Sequence, residues 1–131
     1  MYLFFGLFLF FNYQDLIKMN QQQTTYNWKK LAEQSPRELV LSGADISKQI
    51  EDEGGINELV YLIKSLNFVE ITKTSSLKDI SPKISNLSNL TNLVLHSNQL
   101  TKIPDEIGSL AKLKFLDLSR NLLTELPSSI S

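Results

Sequence analysis

The sequence predicts an α/β solenoid: repeating coils with parallel strands stacked on the concave face and a helical cap at the N-terminal end. Three observations predict it. Two segments 23 residues apart, 90–100 (LTNLVLHSNQL) and 113–123 (LKFLDLSRNLL), agree at five spaced positions each. Within each, two leucines alternate with other residues, the period of a strand with one buried face. Upstream, residues 26–34 (YNWKKLAEQ) set Trp28 and Leu31 three apart, a short helical pattern ended by Ser35-Pro36.

The fixed positions are Leu90, Leu93, Leu95, Asn98 and Leu100, then Leu113, Leu116, Leu118, Asn121 and Leu123. They spell L-x-x-L-x-L-x-x-N-x-L, the leucine-rich-repeat pattern. The tails agree too, Ile103-Pro104, Ile107 and Leu110 matching Leu126-Pro127 and Ile130. A weaker copy precedes them, with Leu66, Val69 and Ile71 at the strand positions and Thr74 in the asparagine place. Leu77, Ile80, Pro82 and Ile84 continue it. This copy stands 24 residues before the next, so one residue is inserted, at Ser75 or Ser76. Earlier still, Leu39-Val40-Leu41 with Ile46 reads as a degenerate first strand. Residues 50–66 then set Ile56, Leu59, Val60 and Ile63 at helical spacing, and Gly54-Gly55 would break a helix entering from Ile50. The chain divides into a hydrophobic extension and polar linker (1–25), a cap with degenerate first repeat (26–65), and leucine-rich repeats (66–131).

The pattern dictates the shape. In x-L-x-L-x both leucines lie on one side of the strand, and parallel pairing with the next coil stacks them as an interior column. Each contributes about 1.5–3 kcal/mol if the next coil covers it. The asparagine leaves the strand where backbone groups turn inward, and its amide offers both donors and acceptors to them. The I-P or L-P step keeps the return leg extended. Ile84, Ile107 and Ile130, with Leu87 and Leu110, close the core from the convex side.

Hydrophobic residues at 42% suffice for a core, which excludes a wholly disordered chain. A formal charge of −1 supplies no field for nucleic acid or anionic lipid, and Lys29-Lys30 is only a local basic spot. The absence of cysteine rules out disulfides and cysteine-ligated zinc, and favours a reducing, cytoplasmic setting. Residues Tyr2–Phe11 (YLFFGLFLFF) pull the other way. Ten apolar residues are too few to span a bilayer, which takes about 20, but suit a signal-peptide core. No Lys or Arg precedes them and no small-x-small cleavage site follows, while Met19 offers a second start. Three readings stay open: an extension not present in the working protein, a signal or anchor, and an apolar segment that packs on something.

From about Tyr26 onward the chain resembles the leucine-rich repeat-containing protein 47 family. Trp28, ELVLSGADISKQI (38–50), LNFVEI (66–71), LVLHSNQL (93–100) and IGSLAKLKFLDLSRNLLTELP (107–127) carry the resemblance. The repeat half is generic; the ELVLSG segment and its spacing to LNFVEI discriminate. The resemblance implies a cytoplasmic protein whose N-terminal repeats precede a domain similar to the tRNA-editing region of the phenylalanyl-tRNA synthetase β subunit, with inferred RNA association. That domain is not within these 131 residues, so no RNA-contacting residue carries over. The hydrophobic start departs from the family pattern.

No constellation for catalysis is present: no Gly-rich phosphate loop, no GxSxG and no HExxH. His96, the only histidine, cannot hold zinc without other strong ligands. No catalytic, cofactor-binding or metal residue is therefore expected, and no cofactor. Asn98 and Asn121 are structural. Asn86-Leu-Ser88 and Asn89-Leu-Thr91 match glycosylation sequons that matter only in a secreted chain. Alternation places four rows on the concave face: Glu38, Phe68, Asn92, Phe115; Val40, Glu70, Val94, Asp117; Ser42, Thr72, His96, Ser119; and Gly43, Lys73, Ser97, Arg120. The candidate binding face is Phe68, Glu70, Asn92, Val94, His96, Phe115, Asp117 and Arg120, with the two phenylalanines as anchors. Asp117 and Arg120 could also form a surface ion pair of small worth. The alternative is a mixed inner face, common to such repeats, that binds nothing by itself.

The expected function is a non-catalytic protein–protein interaction module with a protein partner. An RNA-associated protein and a secreted or membrane-tethered receptor fragment are the alternatives, and a Ras-pathway scaffold of this repeat type is also open. Membrane contact requires Tyr2–Phe11 to be a genuine signal or anchor. The last unit reaches Leu126-Pro127 and Ile130 and meets Ser131 before the leucine that a further 23-residue step from Leu110 would supply. A piece of a larger protein is the corresponding expectation.

Overall fold

A computed structural model describes residues 26–130. The apolar run Tyr2–Phe11, Met19 and Ser131 lie outside the described residues. Helix α1, Trp28–Glu33, opens the fold. The Asn27 side chain caps it by accepting the Lys30 N–H at 2.9 Å, which satisfies one of the free donors of the first turn. Ser35, at φ 48°, turns the chain away before Pro36.

Four parallel strands form one sheet in sequence order: β1 Glu38–Ser42, β2 Phe68–Thr72, β3 Asn92–Val94 and β4 Phe115–Asp117. Leu39, Leu41, Val69, Ile71, Leu93 and Leu95 are all buried, the interior column that the alternation demands. The return legs are 3₁₀ helices at Glu58–Leu62, Pro82–Asn86, Asp105–Ser109 and Ser128–Ile130. Ile84, Leu87, Ile107 and Leu110 seal the core from that side, while Ile130 is half-buried.

Two expectations for residues 44–63 require correction. Ile46 does not extend the first strand. It belongs to helix α2, Ala44–Glu53, where Ile46 and Ile50 lie one turn apart and both face the core. Gly54 ends that helix in the left-handed conformation at φ 76°, as a glycine can without a Cβ penalty. The helical spacing of Ile56 to Ile63 yields only the five-residue 3₁₀ helix, capped by Asn57 accepting the Leu59 N–H at 2.9 Å. A 3₁₀ turn rises about 2.0 Å per residue against 1.5 Å for an α-helix, so a short leg spans the coil.

Helix α2 also anchors the cap. The Gln49 amide accepts the Tyr26 N–H at 2.7 Å and donates to the Tyr26 carbonyl at 3.1 Å, holding that backbone as a neighbouring strand would. Glu53 accepts from Trp28 Nε1 at 3.1 Å, Gln49 Nε2 at 2.8 Å and Asn57 Nδ2 at 3.1 Å. The inserted residue is accommodated here as well. The Ser75 N–H donates to Ser47 Oγ at 3.0 Å and Ser76 Oγ donates to the Ser47 carbonyl at 2.6 Å, so the extra length folds against α2.

The asparagine ladder runs between coils. Asn98 Nδ2 donates to the Ile71 and Leu95 carbonyls at 2.7 and 2.8 Å, and Oδ1 accepts the Thr74 N–H and hydroxyl at 3.1 and 2.6 Å. Thr74 thus meets the asparagine of the next coil instead of repeating its role. One coil on, Asn121 donates to Leu95 and Leu118 carbonyls, both at 2.9 Å, and accepts the Leu100 N–H at 3.0 Å. Asn98 is buried but Asn121 is only half-buried.

Candidate binding face

Strand pairing brings the predicted rows together. Glu38, Phe68, Asn92 and Phe115 stand in register, as do Val40, Glu70, Val94 and Asp117. Ser42 pairs with Thr72, whose hydroxyl donates to Ser42 Oγ at 3.4 Å. Beyond the paired residues, the Leu95 N–H donates to the Asp117 carbonyl at 2.8 Å and the Ser97 N–H to the Ser119 carbonyl at 3.0 Å. These bonds carry His96 beside Ser119 and Ser97 beside Arg120.

The eight candidate residues differ in what they offer. Phe115 is 50% exposed, and Phe68, Glu70, Asn92, His96 and Asp117 are half-exposed. Arg120 is exposed. Val94 is 8% exposed, so it forms the floor of the face and presents little surface, since its short side chain ends below those of Glu70 and Asp117 in the same row. His96 Nδ1 lies 3.0 Å from Ser97 Oγ.

Asp117 is occupied locally. Its Oδ1 accepts the Ser119 N–H at 3.0 Å and the Ser119 hydroxyl at 2.7 Å. Those two bonds hold the carboxyl below its ordinary range, with a smaller contribution from His96, so the face keeps this negative charge at neutral pH. The Asp117–Arg120 pair does not form: among the described residues the ion pairs are Lys48–Asp52 and Lys83–Glu58, both away from the face. Sequence reasoning missed Ser119 as the carboxylate's partner, although an Asp two residues before a Ser is a local-turn signal.

The fourth row has a conformational basis that alternation does not reveal. Gly43, Lys73, Ser97 and Arg120 have φ of 94°, 59°, 61° and 56°. Each coil leaves its strand through one residue at positive φ, and these residues line up across the sheet. In the first coil that residue is glycine, which was the available hint.

No group of three or more His, Asp or Glu placed to hold a metal occurs among the described residues, and no helix there is long and apolar enough to cross a membrane. A recess of about 220 Å³ beside the 58–62 turn carries Glu53, Glu58 and Asp79. Glu53 is engaged by the cap and Glu58 by Lys83. Of the sequon asparagines, Asn89 is engaged, donating to the Lys64 carbonyl at 2.8 Å and accepting from Lys112 Nζ at 3.0 Å.

Parallel strands with an interior leucine column, an inter-coil asparagine ladder and 3₁₀ return legs define a leucine-rich-repeat solenoid of the α/β class. Residues 64–126 match the family described as leucine rich repeat. Among solved structures, the chain is similar to a leucine-rich-repeat protein of Leptospira interrogans, with a TM-score of 0.56 and 24% sequence identity over 85% of this chain. The chain spans 32% of that protein's length. No curated protein matches the chain.

Proposed function

We propose that this chain is a non-catalytic interaction module whose concave face binds a protein partner. The exposed Phe115, in one row with Phe68, with Asp117 and Arg120 on its own coil and Glu70 in the neighbouring row, is the observation that carries this reading. An aromatic side chain on a rigid strand has little freedom left to lose on binding and offers a large apolar area. The fixed charges around it select orientation. The test is affinity capture with the chain and with a Phe68→Ala, Phe115→Ala, Arg120→Ala triple variant. Loss of a partner from the variant supports the reading; an identical set of partners overturns it.

Finer readings rest on narrower support. The absence of cysteine favours a reducing, cytoplasmic compartment. The ELVLSG and LNFVEI segments, now strands β1 and β2, support the N-terminal arm of a larger protein of the leucine-rich repeat-containing protein 47 type. Transcript sequence continuing past Ser131 into a synthetase-like domain would support that arm and its RNA association; a stop codon there would remove their basis. A secretory location rests on Tyr2–Phe11 alone, and a fluorescent fusion that stays diffuse in the cytosol would overturn it.

A further inference from the structure

Two coils carry the same kinds of side chain at the same three levels of the concave face. Strand β2 and the turn leaving it present Phe68, Glu70 and Lys73; β4 and its turn present Phe115, Asp117 and Arg120. Each is an aromatic ring, then a carboxylate, then a base, at identical spacing. The coil between them differs at every level. It places Asn92, Val94 and Ser97 there, all short and none charged. Lys73, Ser97 and Arg120 align as the residues at positive φ that end each strand.

The middle of the face is therefore a trough along β3, with Val94 as its floor and the two triplets as its walls. Val94 is buried, Lys73, Phe115 and Arg120 are exposed, and Phe68, Glu70 and Asp117 are half-exposed. His96, half-exposed and with Nδ1 3.0 Å from Ser97 Oγ, is the one large side chain along the floor. The walls stand two strand spacings apart, about 10 Å between backbones. An α-helix, about 10–12 Å across with its side chains, is too wide to sink between them, whereas a single extended chain is not. The wall charges remain available. Glu70, Lys73, Asp117 and Arg120 belong to neither ion pair among the described residues. Ser119 bonds only Oδ1 of Asp117, which fixes that carboxylate in place.

Taking the concave face as the binding surface, we propose that the trough seats one extended segment of a partner protein, presenting an apolar, a basic and an acidic side chain in that order. Extended chains rise about 3.3 Å per residue, as β3 does beneath, so the segment reads apolar-x-basic-x-x-acidic or its reverse. Its apolar residue lies between the two phenylalanine rings. Its base stands between Glu70 and Asp117, where the divergent donors of a guanidinium serve both carboxylates better than a compact ammonium. Its acid meets Lys73 and Arg120. A residue of the wrong sign at either charged level would face two like charges at once, so the face selects order as well as composition.

Selection from a random peptide display library on the full 131-residue chain, with fluorescence anisotropy of the selected peptides, tests this. The expected consensus is apolar-x-Arg-x-x-Asp/Glu or its reverse. Glu70→Gln with Asp117→Asn removes the acidic level while keeping an acceptor for Ser119, and should weaken the selected peptides by roughly tenfold. Exchanging the wall charges (Glu70→Lys, Lys73→Glu, Asp117→Arg, Arg120→Asp) should reverse the selected charge order. All four positions lie outside the core, so both variants should keep the wild-type circular dichroism spectrum. Peptides that bind through Phe68 and Phe115 but show no charge order would overturn the trough and leave the concave face as a binding surface. Selection of no peptide would overturn the trough too, while the affinity capture above decides the binding surface independently. Self-association abolished by the charge exchange would overturn it as well, since the occupant would then be a second copy.

Discussion

Replacing Asn98 with alanine should cost the fold far more than the same change at Asn121. Asn98 is 2% exposed and makes four hydrogen bonds, two as donor and two as acceptor. Alanine would leave the Ile71 and Leu95 carbonyls and the Thr74 N–H without this partner in a site that water does not reach. Each orphaned buried group costs about 1–3 kcal/mol. The Leu95 carbonyl still accepts from Asn121 and the Thr74 hydroxyl can turn, so the low end applies to the three groups, giving about 3–4 kcal/mol in total. That is a large part of the roughly 5–15 kcal/mol that holds a domain of this size. Asn121 makes a similar set of bonds but is half-exposed, and water can replace its amide at Leu118 and Ser119, so about 1–2 kcal/mol is expected. Urea unfolding followed by circular dichroism at several protein concentrations measures both, each relative to wild type. Equal shifts of the two midpoints would refute the claim that burial, and not the hydrogen-bond count, sets the cost.

Gly108→Ala would bring a methyl group within 2.6 Å of the Ser129 hydroxyl oxygen and 3.0 Å of the Ser129 carbonyl oxygen, displacing the last 3₁₀ turn. A loss of about 1–3 kcal/mol is expected, with faster amide exchange at Ile130, and Ser129→Gly in the same chain should recover part of it. Tyr61 gives a pH dependence: burial, the larger cause, pushes its phenol up to about 12, although the Ser81 N–H donating to its oxygen opposes the rise. The folded state therefore holds the phenolic proton more tightly than the unfolded chain, whose tyrosines titrate near 10. This contribution is whole below about pH 10 and fades toward pH 12, by about 2–3 kcal/mol. Urea midpoints at pH 8 and 11.5 should converge between wild type and Tyr61→Phe; a constant gap would argue against it.

The repeats were legible because leucine does one job at fixed intervals. Leu90 through Leu123 announce both the strands and their spacing, and Glu38, Phe68, Asn92 and Phe115 follow as one row from alternation alone. Helix α2 was hidden for a physical reason. Its buried side uses Ser47 and Gln49 beside Ile46 and Ile50, and the polar pair is affordable only because Gln49 meets the Tyr26 backbone and Ser47 meets Gly43 and Ser75. No apolar periodicity records a helix held partly by polar groups from distant residues. The same limit applied to the face: alternation gives the side on which Val94 lies, but not that it would be buried there, nor that Asp117 would bond Ser119 in preference to Arg120.

The positive-φ column Gly43, Lys73, Ser97 and Arg120 bears on how such a face can diversify. A residue held at φ near 60° pays a steric penalty that is severe for valine, isoleucine and threonine, and mild for glycine, asparagine or an unbranched chain. Mutational drift at these four positions is thus screened by the backbone before any partner acts on it. What survives is a short alphabet of small or long flexible side chains. Charge can be gained, lost or inverted along that column one coil at a time, without disturbing the leucine layer beneath it.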